Sequence, residues 1–355
     1  MRRLTGSMGN AVPPVKGSTV MEGNMTVSDI SMETKEWKDG ESQNAVKTQG
    51  SLTRGNGQVR GVEKAAQVIF TICAFFAVLA VASITLYMIA NGTPAIFKVG
   101  IKEILFSPVW KPTAQTPSFG ILYVIMTSIV GTFFAILLGV PIGLLTAVFL
   151  AEVAPPKLAR LVKPAVELLA GIPSVIYGLL GIMVLNPLMY QWEKKLFQGS
   201  ETHQFTGGAN LISAVIVLAV MILPTVINIS ESALKAVPSQ LKASSLALGA
   251  SHVQTIFQVL VPAAKSGIIT AIVLGVGRAI GEAMAISLVS GSSVNMPLPF
   301  NSVRFLTTAI VSEMSYASGL HRQVLFTIGL VLFCFIMVIN IALNGILKKG
   351  AKKND

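Results

Sequence analysis

Charge is scarce in this chain: only 12% of its 355 residues are charged, against 52% apolar. With a positive mean hydropathy, that balance falls outside the soluble globular range and defines an integral membrane protein. Cysteine is almost absent. Cys73 and Cys334 each lie inside an apolar run, where a lone thiol packs as a small hydrophobe, so neither a disulfide nor a metal site is inferred. The three histidines, His203, His252 and His321, are scattered over loops and form no ligand cluster. The dipeptide Gly-Lys never occurs, which removes the phosphate-cradling loop Gly-x-x-x-x-Gly-Lys-[Ser/Thr] and nucleotide hydrolysis by that route. A Gly-x-Ser-x-Gly elbow and a His-Glu-x-x-His helix are missing as well. The chain is therefore expected to have no catalytic residues, no metal and no cofactor, and any work it does draws on a partner or a gradient.

What is present is a series of long apolar runs. Six are long enough to cross a bilayer, which takes about 20 largely uncharged residues. They cover Ala65–Ala90, Phe119–Leu150, Pro164–Met189, Ala209–Ser230, Ala263–Ser290 and Gln323–Leu347. No run alternates as a barrel strand would, so the fold class is an all-α integral membrane protein with six transmembrane helices. Lys157, Arg160, Lys163, Lys235, Lys242 and the terminal Lys348, Lys349, Lys352 and Lys353 fall on one side. The opposite loops hold Lys98, Lys102, Lys111, Lys194, Lys195, Arg304 and Arg322, spread over longer segments. The positive-inside rule then places both termini in the cytoplasm. The net charge of +11 follows largely from this bias, so membrane lipid rather than nucleic acid is the expected partner of the basic residues.

Three segments follow from these runs. Residues 1–64, rich in Gly, Ser, Thr, Lys and Glu, read as a disordered cytoplasmic tail, either a regulatory arm or a dispensable extension. Residues 65–347 form the six-helix domain, and 348–355 a basic cytoplasmic tail. Pro141 with Gly139, Pro173 with Gly171, and Pro224 fall within spans. They either mark broken helices that line a pathway or reflect the tolerance of membrane helices for proline.

Two charges stand out inside the fifth run, which ends in "GVGRAIGEAMAISLVSG". Arg278 and Glu282, at i and i+4 of a continuous helix, would share a face and pair. They serve either to fix helix packing or to line a route for an anion, with Arg278 as a forked donor. Glu167, three residues into the third run, is either an interfacial carboxylate reaching headgroup water or a gate residue and partner for Arg278.

The loop at 231–262 carries the strongest single signal. Gln240–Leu248 reads as a short helix, Gly249 as its stop, Ser251–Leu260 as a second helix, and Pro262 as the start of the next span. A glycine between two short helices permits the positive-φ turn that folds one against the other. The result is either a protruding elbow suited to a groove on another protein or an ordinary interfacial loop.

The spacing of Gly249, nine residues, then Val259-Leu260-Val261-Pro262 resembles the coupling-loop motif Glu-Ala-Ala-x3-Gly-x9-Ile-x-Leu-Pro of ATP-binding-cassette (ABC) importer permeases. The first three motif positions are here Ala243, Ser244 and Ser245, so the glutamate is missing. The stretches "ELLAGIPSVIYGLLG" (Glu167–Gly181), "GRAIGEAMA" (Gly277–Ala285) and "RFLTTAIVSEMSYASGLH" (Arg304–His321) are similar to PstC-type permeases of the phosphate importer. This resemblance, covering about Ile101 to Leu347, implies a type I ABC importer permease (MetI-like) fold in the inner membrane. It further implies a heterodimer with a second, PstA-like permease, two copies of a PstB-like ATPase subunit and an extracytoplasmic PstS-like phosphate-binding protein. Arg278, Glu282 and Glu167 would then lie on the translocation path, and Ala243, Ser244, Ser245, Gly249 and Pro262 in the ATPase-coupling loop. The external loop Gly291–Arg322, with a helix around Phe305–Met314, would contribute to the docking surface for the binding protein.

A permease for another oxyanion remains open, as does a secondary transporter, although no half-to-half repeat is visible. A membrane scaffold or sensor would need neither the paired charges nor the elbow.

Overall fold

The computed structural model describes residues 57–351, which divide into one unit ending at Leu79 and a second beginning at Ala80. Helix α1 (Gly57–Val99) opens the described chain, and up to Leu79 it presents apolar side chains such as Phe70, Phe75 and Val78 outward. The expectations for residues 1–56 and 352–355 lie outside the described residues. The boundaries given to the two tails move, because residues 57–64 belong to α1 and the last helix runs through Ala351.

The remaining elements belong to the second unit. A short helix α2 (Ile101–Phe106) and a two-residue antiparallel ladder, β1 (Trp110–Lys111) with β2 (Ser118–Phe119), precede α3 (Leu122–Val148), which widens into a π-helical turn at Phe149–Val153. Next come α4 (Pro156–Gly171), α5 (Ser174–Leu180), a π-helical turn at Gly181–Leu185, and α6 (Asn186–Leu196). Helix α7 (Leu211–Lys235) leads to α8 (Ser239–Ala247), α9 (His252–Gln254), a π-helical turn at Thr255–Leu260 and α10 (Val261–Ala263). The chain closes with α11 (Lys265–Gly281), α12 (Met284–Val289), α13 (Leu306–Glu313) and α14 (Gly319–Ala351).

Among the described residues, five segments are long and apolar enough to cross a membrane: Glu63–Val99, Leu122–Val153, Ser174–Leu196, Leu211–Lys235 and Gly319–Ala342. A sixth span is obtained when His252–Ala263 and Lys265–Gly281, bent by 70° at Ala264, are taken together. Two runs differ from the sequence expectation. Pro164–Met189 is not one helix: α4 stops at Gly171, and Ile172 is extended (ψ 128°) because the ring of Pro173 disfavours an α conformation in the residue before it. Ala263–Ser290 is interrupted at Ala264 and again at Glu282–Ala283. Pro141 and Pro224, by contrast, lie inside continuous helices.

The centre of the packing is the crossing of α3 and α7. Gly139 and Gly143 lie one turn apart on α3, and a β-carbon on them would come within 2.6 Å of Ile222 and 2.9 Å of Val226. Only hydrogen fits there, so the two backbones approach as small residues allow in membrane helices. Around this seam Ala135, Tyr177, Leu218, Met221, Ile286 and Phe305 form one buried cluster. Phe133, Leu137 and Leu145, on the outer side of α3, stay exposed, as an apolar surrounding permits.

Candidate translocation site and coupling elbow

Arg278 lies in the last turn of α11 and is half-buried. From Lys265 it is about 20 Å along the helix, well inside the span. Among the described residues the guanidinium has neither an ion-pair nor a hydrogen-bond partner within the chain. β-Carbons added at Gly277 or Gly281 would meet nothing within 4 Å, so the surface beside it is open.

The expected Arg278–Glu282 pair does not form. Pairing at i and i+4 needs helical backbone between the two, and α11 ends at Gly281, leaving Glu282 extended (φ −73°, ψ 130°). Glu282 instead holds the break in shape. Its Oε1 accepts the N–H of Ala285 at 3.0 Å, and its backbone carbonyl accepts the Thr307 hydroxyl at 2.7 Å. Thr307, on α13 and 8% exposed, carried no signal in the sequence, because its role arises from a contact across 25 residues.

Glu167 also differs from expectation. It lies on α4, which is separate from the span Ser174–Leu196, and its side chain is exposed without a partner among the described residues. The α4–α5 joint beside it is fastened by Tyr177, whose hydroxyl donates to the carbonyl of Leu169 at 2.7 Å.

Three buried carboxylates, none of them singled out in the sequence, organise the ends of the spans. Glu313 accepts Trp110 Nε1 at 3.1 Å and Arg304 on one oxygen, and His321 Nε2 lies 2.7 Å from the other. Arg304 also donates to the Ser292 carbonyl at 2.7 Å, so one acid joins β1, α13, α14 and the 291–305 loop. Glu193, fully buried, accepts the N–H and hydroxyl of Thr206 at 2.8 and 3.1 Å, with His203 Nε2 at 2.9 Å. At the other ends of the spans, Glu231 takes Lys235 at 2.6 Å and Lys163 at 3.5 Å. His203 and His321 are thus structural counterparts of acids, a role that depends on tertiary contact and that spacing could not reveal. Between the loops around His203 and Asn301 lies a polar groove of about 770 Å³, which also takes in Asn295, Met296 and Leu298.

The elbow forms as its spacing predicts. Gly249 has φ +89°, its N–H bonds to the Leu246 carbonyl at 3.0 Å, and the N–H of Ala250 bonds to that of Ser245 at 3.3 Å. These two bonds define a Schellman stop, which only a residue tolerant of positive φ closes without strain. Ser251 then starts α9 with a capping box: its hydroxyl accepts Gln254 N–H at 3.2 Å, and its own N–H bonds Gln254 Oε1 at 2.9 Å. Ser245 and Thr255 face each other at 2.9 Å, pinning the two limbs together. Ala243 and Ser244 lie on α8. Pro262 sits in the short α10, just before the 70° bend within the pair of helices that makes the sixth span.

The family described as binding-protein-dependent transport system inner membrane component matches residues 139–352. The chain is 38% identical over 291 residues to the probable ABC transporter permease protein YqgH of Bacillus subtilis, covering 79% of this chain and 89% of that one. It is 32% identical over 305 residues to the phosphate transport system permease protein PstC of Pasteurella multocida, covering 82% and 93%. Among solved structures, a bacterial alginate ABC transporter in complex with an alginate pentasaccharide-bound periplasmic protein matches with a TM-score of 0.56 at 17% identity, over 82% of this chain and 95% of that one. That likeness concerns the fold. The chain belongs to the inner-membrane component family, as a PstC-type ABC-transporter permease with a multi-pass helical domain.

Proposed function

We propose that the chain is the permease subunit of an ATP-driven inorganic phosphate importer of the inner membrane, non-catalytic itself. In this reading it forms the translocation path with a PstA-like permease, is driven by two PstB-like ATPase subunits and receives phosphate from an external PstS-like binding protein. The PstC relatives support the substrate. Both termini and the 231–262 elbow face the cytoplasm, as the basic residues around them favour.

The observation that carries the reading is Arg278. A charge inside a membrane span costs up to about 3 kcal/mol on insertion scales, and among the described residues no acid pairs with it. A guanidinium left with its fork free beside an open surface suits the transient binding of a phosphate, two oxygens against two N–H groups. Glu282 shapes the backbone break next to it, and Glu167 lies on the helix leading into the path from the elbow side.

The test is to purify the chain with its neighbouring subunits, reconstitute the complex in vesicles and follow radiolabelled phosphate uptake. Uptake should require ATP and the binding protein, and Arg278→Lys should reduce it with assembly intact. Uptake driven by an ion gradient without ATP would mean a secondary transporter, and ATP-driven uptake of a different oxyanion in preference to phosphate would reassign the substrate.

A further inference from the structure

From Ser232 to Gly281 the chain has no acidic residue. The cations of the elbow therefore have to find their counter-charges outside this stretch. Lys235 uses Glu231, the residue one turn back on its own helix. Lys242, in the middle of α8, reaches across to Glu152, in the π-helical turn that ends the second span.

Glu152 touches both limbs of the elbow. Its carboxylate takes Lys242 from the first limb, and its backbone carbonyl lies 3.4 Å from His252 Nε2, at the start of the second. That carbonyl belongs to the final turn of a helix, where acceptors lack intrahelical donors, and the lysine charge is also favourable at a helix C-terminus. The side chain of Glu152 is 10% exposed and that of Lys242 34%, so the pair is shielded enough to hold its geometry. The limbs are already pinned to each other by Ser245 and Thr255, which makes the elbow one body with Glu152 at its base.

Upward from Glu152, α3 is locked against α7 at Gly139 and Gly143. A push on the elbow thus has a short mechanical route into the centre of the bundle, distinct from the covalent route through Ala264, where the chain bends by 70°. We propose that Glu152 is a positioning residue for energy coupling: it straps the elbow to the second span, so that displacement of the elbow moves the α3–α7 pair rather than being absorbed at the Ala264 bend. The inference rests on the reading of 231–262 as the ATPase-coupling loop.

The test uses the complete reconstituted complex and reads phosphate transported per ATP hydrolysed. Glu152→Gln and Lys242→Met should each lower that ratio by about fivefold, and the double variant by no more than either alone, as expected for residues acting through one contact. The exchange Glu152→Lys with Lys242→Glu restores the pair and leaves the backbone contact to His252 in place, so it should recover most of the ratio. A surface pair that merely adds stability would shift thermal unfolding but leave the ratio unchanged. An unchanged ratio in both single variants, or effects that add in the double variant without recovery in the exchange, would overturn the strap. If Glu152→Gln fails to assemble, Lys242→Met and the exchange decide alone. A native complex whose uptake ignores ATP would instead overturn the coupling-loop reading, a result seen before any variant is made.

Discussion

An arginine inside an apolar helix must be neutralised by a counter-ion, by water or by a ligand, and the choice is set by the backbone around it. Had α11 continued past Gly281, Glu282 would have come round to Arg278 and formed an i, i+4 pair. The turn at Glu282 and Ala283 removes that possibility and commits the acid to its neighbours, the Ala285 N–H through Oε1 and the Thr307 hydroxyl through its carbonyl. The two charges therefore have separable roles. Glu282→Gln retains an oxygen that can accept from Ala285 and should leave thermal stability within about 1 kcal/mol of the native chain, whereas Glu282→Ala loses the cap and should destabilise by about 1 kcal/mol. Thr307→Val keeps shape but leaves the Glu282 carbonyl without its donor, and should destabilise by about 1–3 kcal/mol. Unfolding in detergent, followed by tryptophan fluorescence, measures all three. Exchanging Arg278 and Glu282 should not restore uptake, since no pair exists to rebuild; recovery of uptake by the exchange would refute the separation of roles.

At the level of elements, the elbow was legible because its determinants are local. Gly249, Ser251 and Gln254 encode a helix stop and a helix start within six positions, and the hydrogen bonds that follow involve only near neighbours. The break before Pro173 was less so, because an apolar run conceals a kink that proline only permits; Pro141 and Pro224, in equally apolar runs, leave their helices continuous. The Glu282 break was not legible at all, since its stabilising partner Thr307 lies on another helix. These differences sharpen the expectation for Gly249. Replacement by valine forces a β-branched side chain to positive φ, at a cost of about 1 kcal/mol or more, although there is open space around the position. The loss must then come from conformation rather than from collision. Gly249→Val should still insert in the membrane but lose the ATPase subunit or its coupling, while Gly249→Asn, which tolerates the left-handed region, should retain both. Co-purification and uptake assays read the outcome, and normal transport by Gly249→Val would show that the elbow is not the coupling element.

For the whole molecule, the six apolar runs match five spans among the described residues, or six with the bent pair His252–Ala263 and Lys265–Gly281, but the fastening of their ends could not be foreseen. Glu193, Glu231 and Glu313 are isolated acids in the sequence and hubs in the structure, because Glu231 and Glu313 each gather a partner from far along the chain, Lys163 and Trp110, and Glu193 gathers His203 and Thr206 from the loop that follows its helix. Their placement sorts the loops into two groups. Glu231 ties the end of α7 to α4 and Glu152 ties the elbow to the end of the second span, whereas Glu193 and Glu313 hold the loops at the other ends of the spans, where Leu211 and Ile212 also donate to the Asn301 and Pro299 carbonyls. Residues tied within one group must emerge on one side of the membrane, so a single labelled site in each group fixes the orientation of the domain. Ser239, at the start of the elbow, and Gln198, beyond α6, are both exposed and represent the two groups. The only native cysteines, Cys73 and Cys334, lie in apolar spans and can be replaced by alanine to give a clean background. With the basic side inward, an impermeant thiol reagent added to intact cells should modify Gln198→Cys and leave Ser239→Cys untouched until the membrane is opened. Labelling of Ser239→Cys from outside would invert the domain, put the elbow beyond the reach of ATP, and remove the basis for a motor acting on it.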